Sequence, residues 1–321
     1  MRKDIDIYGR GALPPRLDNR LSDHFTLHRD PGQMPSDAWL EEYGPRIIGL
    51  ANASFTPLEA ALMDRLPNLR IISSLGVGYD KIDVAAAKAR GILVTHTPDV
   101  LNADVANYAL LLLLAASRDL LAQDAYARSG RWAREGRAQL TTTLEGATLG
   151  IVGLGRIGRN LAKKLEVFGG RILYHGRHPQ PDVSYEYCAD LVDMARRCDA
   201  LILLLPGGTA TDHIVNAEVM AALGPQGILV NVARGSVVDE TALIEALQSG
   251  QLGRAALDVF EDEPNIPQAL CDSDRVILSP HAASATVQTR QAMFDLTADN
   301  LIAYFDDGAP LTPVPECRDM L

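Results

Sequence analysis

Short runs of apolar residues alternate with segments of helical periodicity along most of the 321-residue chain. This alternation is typical of parallel sheets built from strand–helix–strand units. Four strands are predicted in the first hundred residues and seven from residue 148 onward: Ile5–Tyr8, Arg46–Leu50, Arg70–Ser74 and Leu93–Thr95, then 148–155, 171–176, 185–189, 200–206, 227–233, 255–260 and 275–280.

The predicted helices divide the chain into two parts. A long apolar helix within Asp99–Ser117 leads from the first part into the second, and a last helix, Thr286–Phe305, could pack back on the first. Between them, helices are predicted after the 148–155 strand, ended by Gly169 and Gly170, and at 190–197, 216–223 and 239–249. The fold class is therefore α/β, with two doubly wound parallel-sheet domains. One domain comprises residues 1–98 and 287–321, and the other, 99–286, is inserted into it.

Composition narrows the class of partner. Hydrophobic residues make up 47% and charged residues 22%, which is typical of a globular chain rather than a disordered one. A net charge of −11 disfavours nucleic acid and anionic membrane surfaces as partners. The longest apolar run, Val105–Ala116, is too short to span a bilayer. The four cysteines form no C-x-x-C pair, and the first ten residues indicate a strand rather than a secretion signal, so we expect a cytoplasmic protein with reduced thiols.

A glycine-rich turn follows the strand at 148–155. The sequence GLGRIG places glycines at 153, 155 and 158, the G-x-G-x-x-G spacing that lets a pyrophosphate approach and a helix pack closely on a strand. The free N–H groups of the following helix would then face the phosphates. The alternative is a plain tight turn. The residues predicted to bind a dinucleotide here are Gly153, Gly155, Arg156, Ile157 and Gly158.

The end of the next strand bears on which dinucleotide is bound. NAD-binding domains usually carry an acidic residue there, which holds the ribose 2′-hydroxyl. This chain has Gly176, Arg177 and His178 instead, and no carboxylate until Asp182. Arg177 suits a 2′-phosphate, and His178 can assist when protonated, so NADP(H) is preferred and NAD(H) remains possible. Alternatively, Arg177 is an ordinary solvated arginine.

Three ionisable residues lie just beyond predicted strands of the same sheet: Arg234, Glu263 and His281. Ligands of open α/β sheets bind at the carboxyl ends of strands, so all three point to one edge. Arginine can hold a carboxylate, and a histidine with a glutamate partner can exchange a proton with a ketone oxygen. Each residue alone could be an ordinary loop residue. The other histidines form no ligand set, so no metal site is expected.

A second glycine-containing turn, LGVGYD, lies in the first domain. Its glycines, Gly76 and Gly78, allow two interpretations: backbone N–H groups that bind an anion, or a strand-to-helix turn that needs positive φ.

Taken in order, the segments SLGVGYDKID, GATLGIVGLGRIGRNLA, ILVNVARGSVVDETALIEAL, LDVFEDEP and SPHAASAT resemble the signature blocks of the D-isomer-specific 2-hydroxyacid dehydrogenases. The resemblance extends from about Arg70 to Pro313. It is strongest to the hydroxypyruvate/glyoxylate reductases and hydroxyphenylpyruvate reductases, to which SGRWAREGRAQLTTTLEGATLG and LTPV are similar. It implies a Rossmann cofactor domain inserted into a flavodoxin-like substrate domain.

The resemblance also implies roles for particular residues. It makes Arg234, Glu263 and His281 a catalytic triad. It assigns substrate binding to Leu75, Gly76, Val77 and Gly78, together with Arg234 and His281. It assigns cofactor binding to Val105, Leu205, Pro206, Thr211, Val232, Ala233, Arg234, Asp258 and His281. Within this second set, Asp258 and the Ala233 carbonyl would hold the nicotinamide carboxamide. Asn107 replaces the family's acid, and Gly207–Gly208 replaces part of its PLTPET segment.

The resemblance further implies a homodimer in which the segment from about Leu120 to Thr143 crosses to the partner, so that Trp132 reaches the partner's substrate site. The expected function is NADPH-preferring reduction of a small 2-keto acid, hydroxypyruvate or glyoxylate, to the D-2-hydroxy acid. Packing of loops such as Asn52–Thr56 would set the substrate's size. The alternatives are an aryl-pyruvate reductase or another 2-hydroxyacid dehydrogenase, and a dinucleotide-sensing protein similar to corepressors of this fold.

Overall fold

A computed structural model describes residues 2–30, 34–53 and 56–321 of the chain. The chain divides into two compact units, one formed by Met1–Leu101 with Thr286–Leu321 and the other by Asn102–Ala285. Each unit contains its own parallel sheet. The α/β class with two parallel sheets, predicted from the alternation of apolar runs and helices, is confirmed.

The first unit is built on five parallel strands in the order β2-β1-β3-β4-β5. This is the flavodoxin-like order, in which the chain reverses direction across the sheet at β1. The central strands are almost fully buried because helices cover both faces. Its elements up to the end of the sheet are β1 (Asp6–Arg10), α1 (Pro15–His24), β2 (Thr26–Arg29), α2 (Asp37–Tyr43), β3 (Ile47–Asn52), α3 (Ala60–Asp64), β4 (Ile71–Ser74), α4 (Val84–Ala89) and β5 (Leu93–Thr95).

The second unit contains seven parallel strands in the order β12-β11-β10-β9-β6-β7-β8. Counted from β6, this is the 3-2-1-4-5-6 order of the Rossmann fold with one further strand at the edge. The elements are α5 (Asn102–Ser117), α6 (Leu120–Arg128), α7 (Arg131–Glu135), β6 (Leu149–Val152), α8 (Arg156–Leu165), β7 (Ile172–His175), β8 (Glu186–Tyr187), α9 (Leu191–Arg196), β9 (Ala200–Leu203), α10 (Ala217–Leu223), β10 (Ile228–Asn231), α11 (Glu240–Ser249), β11 (Arg254–Leu257), α12 (Gln268–Cys271) and β12 (Val276–Leu278).

The last long helix, α13 (Val287–Asp307), returns to the first unit. Its N-cap is Thr286, whose hydroxyl accepts from the Thr289 N–H, and it ends at Gly308 with φ +83°. It packs against β4, where the Ser73 hydroxyl donates to the Thr297 carbonyl at 2.8 Å. The sequence predicted this helix as Thr286–Phe305, close to its observed bounds.

Several elements differ from the predictions. Strand β2 was not predicted, because it is a short edge strand whose side chains are mostly half-exposed. Helices α1, α2 and α3 were also missed, and so were α6, α7 and α12. The helix after the glycine turn ends at Leu165 and continues as a short 3₁₀ turn up to the predicted stop at Gly169. Among the described residues no single helix is long and apolar enough to cross a membrane. Within the same residues, only the pair α5–α6, bent by 59° at its junction, reaches the length and apolar composition of a membrane span when the two helices are taken together.

Candidate active site

The glycine turn between β6 and α8 has the shape that a diphosphate requires. Gly153 has φ +101°, and a Cβ there would lie 2.7 Å from the Leu205 backbone nitrogen. A Cβ on Gly158 would lie 2.3 Å from the Gly153 carbonyl oxygen, so helix and strand pack too closely for a side chain. A Cβ on Gly155 would meet nothing within 4 Å, which leaves open space above the turn. The turn and the N-terminus of the ten-residue helix α8 therefore fit the phosphates of a dinucleotide.

The residues after β7 leave room and positive charge for a ribose substituent. Gly176 has open space where a Cβ would be, and both Arg177 and His178 are exposed. Within the described part of the chain, the Arg177 guanidinium makes no hydrogen bond or ion pair, so it can bind a ligand without losing a partner. No carboxylate stands at 176–178 to accept from a ribose hydroxyl or to repel a phosphate.

His281 and Glu263 form a hydrogen-bonded pair beyond the carboxyl ends of β12 and β11. The distance from His281 Nδ1 to Glu263 Oε2 is 2.8 Å, with both side chains about three-quarters buried. Burial raises the pKa of Glu263, but the hydrogen bond from His281, the Phe260 N–H and the charge of Arg234 outweigh it and hold that pKa below its ordinary value. Glu263 is therefore an ionised partner for the imidazole, which it contacts through Nδ1.

A buried carboxylate fixes the turn that carries His281. Asp258, 1% exposed, accepts from the N–H groups of Ala282 at 2.7 Å and Ala283 at 2.9 Å, and from the Ser279 hydroxyl at 2.6 Å. These bonds hold His281 in a left-handed conformation with φ +51°. Such a conformation is costly for a residue with a side chain and persists only where the surroundings impose it.

Arg234 follows β10, and the Asn231 side chain shapes its turn. The Asn231 amide accepts from the Ala233 N–H at 3.0 Å and donates to the Arg234 carbonyl at 2.9 Å. The Arg234 guanidinium is half-buried and donates to the Ala233 carbonyl at 2.8 Å. The next residue, Gly235, packs so closely on the segment before Glu263 that a Cβ would lie 1.9 Å from the Phe260 carbonyl carbon. The loops after β10 and β11 thus form one packed block.

The other residues that the resemblance assigns to the cofactor lie in the same unit. Val105 is buried in the first turn of α5, and Val232 and Ala233 are buried directly after β10. Leu205 is buried after β9 against the glycine turn, whereas Pro206 is exposed. The Thr211 hydroxyl donates to the Pro206 carbonyl at 2.7 Å and closes the loop that contains Gly207 and Gly208.

In the first unit, the 75–78 loop follows β4. Gly76 has φ +145°, and its N–H donates to the Thr97 hydroxyl at 3.1 Å. His96 Nδ1 lies 2.9 Å from the Val77 carbonyl. Among the described residues no group accepts a hydrogen bond from the N–H groups of Val77 and Gly78. These two N–H groups can therefore donate to an anion. Of the Asn52–Thr56 loop, Ser54 and Phe55 lie outside the described residues.

Sequence reasoning missed two features of the second unit. Ser279 and Tyr108 extend the Asp258 network, with their hydroxyls 2.7 Å apart, and no motif in the sequence marks them. A second pair joins His213 Nε2 to Glu261 Oε1 at 2.7 Å. Its only sequence signal is that Glu261 lies two residues before Glu263.

The second unit therefore combines a dinucleotide turn, an ionised glutamate with its histidine, and an arginine on one sheet. A histidine of this kind can transfer a proton to or from an alcohol oxygen, and an arginine can hold a carboxylate. The class that this combination defines is a dinucleotide-dependent oxidoreductase.

Comparison with known proteins agrees with this class. Residues 110–283 match the model for the D-isomer specific 2-hydroxyacid dehydrogenase, NAD binding domain. A glyoxylate/hydroxypyruvate reductase A of Arabidopsis thaliana is 46% identical over 298 residues, which cover 93% of this chain and 95% of the relative. A hydroxyphenylpyruvate reductase of Plectranthus scutellarioides is 42% identical over 93% of this chain and 95% of its own length.

A solved structure is similar over nearly the whole chain. It is an NADPH-dependent glyoxylate/hydroxypyruvate reductase from Sinorhizobium meliloti in complex with NADP and malonate, with a TM-score of 0.92, 46% identity, and coverage of 98% of this chain and 97% of its own. The chain belongs to the D-isomer-specific 2-hydroxyacid dehydrogenase family, as its signature blocks predicted, and is an NAD(P)-dependent oxidoreductase.

Proposed function

We propose that this protein reduces a small 2-keto acid, hydroxypyruvate or glyoxylate, to the D-2-hydroxy acid and prefers NADPH as the reductant. The observation that carries this proposal is the 2.8 Å bond between His281 and Glu263, in the unit that also holds Arg234 and the dinucleotide turn. The named relatives, two of which reduce glyoxylate or hydroxypyruvate, support the substrate class.

Each catalytic side chain has one task in this reaction. Arg234 binds the substrate carboxylate and polarises the adjacent ketone, since its charge is permanent. Glu263 keeps the imidazole of His281 oriented through Nδ1, so that Nε2 donates a proton to the ketone oxygen as it gains charge. The nicotinamide, when bound, supplies the hydride to C2. The Ala233 carbonyl and Asp258 would hold the nicotinamide carboxamide, and Asp258 also holds the turn that carries His281.

The two units have separate roles. The second unit binds the cofactor, and the first contributes to substrate binding through its 75–78 loop. Leu75 and Gly76 shape that loop, and the N–H groups of Val77 and Gly78 donate to the substrate carboxylate. This assignment makes the loop an anion site as well as a strand-to-helix turn.

A panel of 2-keto acids tests the substrate class. NADPH oxidation is measured with glyoxylate, hydroxypyruvate, pyruvate, phenylpyruvate and 4-hydroxyphenylpyruvate. We expect the highest kcat/KM with hydroxypyruvate or glyoxylate. A higher value with the aryl substrates would favour the aryl-pyruvate reductase, and tight NADPH binding without turnover of any substrate would favour a dinucleotide sensor.

The cofactor preference depends on the residues after β7. Gly176 leaves room for a 2′-phosphate, and Arg177 can form charge-assisted hydrogen bonds to it, each worth about 1.5–3 kcal/mol, or roughly 10–150-fold in affinity. We expect Arg177→Ala to remove most of the preference. Gly176→Asp should reverse it, because a carboxylate accepts from the ribose hydroxyls and repels the phosphate. Initial rates with both cofactors measure this, and an unchanged ratio in Arg177→Ala would show that Arg177 points to solvent.

We also propose that the protein acts as a homodimer. The second unit exposes large apolar side chains on and after α5 to α7, more than a monomer's isolated surface residues require: Leu111, Leu114, Leu120, Leu121, Trp132 and Leu140. Trp132 is 67% exposed and would reach the substrate site of the partner subunit.

A Trp132→Ala variant tests both parts of this proposal. If the variant remains dimeric in sedimentation, KM for the keto acid should rise. Unchanged kinetics in an intact dimer would restrict Trp132 to the interface, and a monomeric parent would contradict the dimer. We place the enzyme in the cytoplasm, where its four cysteines would remain free thiols as they are in the structure.

A further inference from the structure

The segment that follows β7, residues 176–182, is attached to the body of the second unit at several points; we call it the 176–182 loop. At its start, the Tyr187 hydroxyl donates to the Gly176 carbonyl at 3.1 Å. Near its end, the Gln180 N–H donates to the hydroxyl oxygen of Tyr174 at 2.7 Å. Both tyrosine rings pack against each other, with centroids 5.4 Å apart, and Tyr174 is 1% exposed. The exposed Arg177 and His178 therefore lie in an arch between two fixed points.

The Gln180 side chain connects this loop to the dinucleotide turn. Its amide nitrogen donates to the carbonyl of Leu154, inside the GLGRIG turn, at 2.8 Å. Its amide oxygen accepts from the guanidinium of Arg159, which lies in the first turn of α8 directly after Gly158. One side chain thus fixes the position of the arch relative to the turn.

Arg159 also neutralises the first carboxylate after β7. Its guanidinium donates to both oxygens of Asp182, at 2.6 and 2.8 Å. These hydrogen bonds hold the pKa of Asp182 below its ordinary value, so the carboxylate is ionised at neutral pH. Without Arg159, a negative charge on a side chain that is 64% exposed would lie in the loop that carries Arg177.

We propose that Arg159 and Gln180 determine cofactor specificity at the 2′-phosphate without serving as its ligands. Arg159 neutralises Asp182, and Gln180 holds the arch so that Arg177 and His178 remain beside the dinucleotide turn. Preference for NADPH in this chain would then need both a cation in the arch and a neutralised carboxylate at its end. This inference rests on the proposed preference for NADPH.

Binding of two adenine nucleotides that differ by one phosphate tests the proposal. Dissociation constants for adenosine 2′,5′-bisphosphate and adenosine 5′-monophosphate are measured by calorimetry on the full chain. The affinity ratio is the dissociation constant for the monophosphate divided by that for the 2′,5′-bisphosphate. We expect Arg159→Ala to lower this ratio about three- to tenfold, the range for an unscreened charge near a phosphate in water. Arg159→Lys should retain most of the ratio.

A double variant separates charge neutralisation from direct contact. Asp182→Asn in the Arg159→Ala background should recover part of the lost ratio, because the repelling charge is gone. Gln180→Ala, which removes the connection between the arch and the dinucleotide turn but leaves the ion pair, should lower the ratio by a smaller factor. Arg171→Ala is the matched control, since it removes an exposed arginine whose ion pair with Glu186 lies outside the 176–182 loop, and it should leave the ratio unchanged.

The possible failures are distinguishable. Equal affinity of the parent for both nucleotides would overturn the proposed NADPH preference itself. A parent that prefers the 2′,5′-bisphosphate, with the ratio unchanged in Arg159→Ala, would overturn only the role of Arg159. A loss in Arg159→Ala with no recovery in the double variant would show that Arg159 contacts the phosphate directly, and would contradict neutralisation of Asp182.

Discussion

Glu261 and Glu263 lie two residues apart in the same segment, and each is hydrogen-bonded to a histidine. The pair of His281 and Glu263 has an N–O distance of 2.8 Å, and that of His213 and Glu261 has one of 2.7 Å. By distance alone the two pairs are equivalent. They differ in exposure, since the His213 side chain is 47% exposed and the His281 side chain 24%.

Their surroundings differ more than their geometry. His281 contacts its glutamate through Nδ1, and that glutamate also experiences the charge of Arg234. His213 uses Nε2, and its glutamate accepts from the N–H of Glu240 at the start of α11. A histidine–glutamate bond is therefore not enough to define an acid–base site. We propose that deeper burial and the neighbouring cation Arg234 distinguish the catalytic pair from the other.

The largest difference is expected in turnover. His281→Ala should lower kcat about 10²–10⁴-fold, because proton transfer by a positioned side chain is typically worth that factor. His213→Ala, the matched control, should keep kcat within about threefold. Steady-state rates with NADPH and hydroxypyruvate measure both, and NADPH fluorescence titration checks that His281→Ala still binds the cofactor. Comparable losses of kcat in the two variants would contradict the assignment of His281, rather than His213, as the proton donor.

Gly235→Ala should damage both pairs at once. Its Cβ would lie 1.9 Å from the Phe260 carbonyl carbon and 2.4 Å from the Glu261 nitrogen, so the backbone must shift. Overpacking of this kind costs about 1–3 kcal/mol and sometimes more. Urea unfolding should show a lower midpoint, with a loss near the top of that range. Gly146→Ala is a control for backbone strain without overpacking. Its φ is +74°, and nothing lies within 4 Å of the added Cβ.

The pH dependence should separate the two glutamates. Because the pKa of Glu263 lies below its ordinary 4.5, the carboxylate remains ionised over the neutral range and stabilises a protonated imidazole. Ketone reduction needs that proton, so activity falls as pH rises. Glu263→Gln should move this fall to lower pH, because the imidazolium would lose the opposite charge that stabilises it. Glu261→Gln should leave it in place, and an equal displacement by both variants would contradict the assignment.

Stability should depend on Glu263 with a defined sign. A carboxyl whose pKa is lowered in the folded state stabilises the fold above its unfolded pKa, and this contribution is lost as pH falls through the folded value. The parent and Glu263→Gln should therefore differ in unfolding midpoint at pH 7 and converge as the pH falls below the ordinary carboxyl pKa of 4.5 and through the lower folded value. Thermal unfolding at several pH values measures this. A difference that grows toward acid pH would contradict it.

The smallest effect is expected from the outer pair. Exposed ion pairs contribute about 0–1 kcal/mol, so His213→Ala should change the free energy of unfolding by no more than that. Denaturant unfolding of this variant measures the value. A loss above about 2 kcal/mol would show that His213 anchors the loop after β9 more strongly than its exposure indicates.

The sequence predicted best where local chemistry is restrictive. The glycines at 153 and 158 can be interpreted from spacing because only glycine tolerates contacts of 2.7 and 2.3 Å at a Cβ. Buried strands such as β5 were predicted with their observed bounds, since their apolar runs are short and clearly bounded. The identification of the family from its signature blocks is confirmed.

Other features depend on distant residues that no local pattern reveals. The resemblance assigned Asp258 to the cofactor, and that role stays a prediction; no local pattern indicated that its carboxylate also accepts from two backbone N–H groups 24 and 25 residues away. The edge strand β2 and the helices before β3 have weak apolar patterns: β2 has no fully buried side chain, and α1 and α2 bury only two and one. No local sequence pattern marks Arg159, because its role depends on its bonds to the 176–182 loop.

The central claim is that this protein is an NADPH-dependent 2-keto acid reductase. Comparing the two cofactors on the unmodified protein tests it most directly. Initial rates of hydroxypyruvate reduction are measured at 340 nm with varied NADPH and, separately, varied NADH. The expected result is a kcat/KM for NADPH at least about tenfold above that for NADH, with D-glycerate as the product. Equal or better use of NADH, or no reduction of the keto acid by either cofactor, would contradict it.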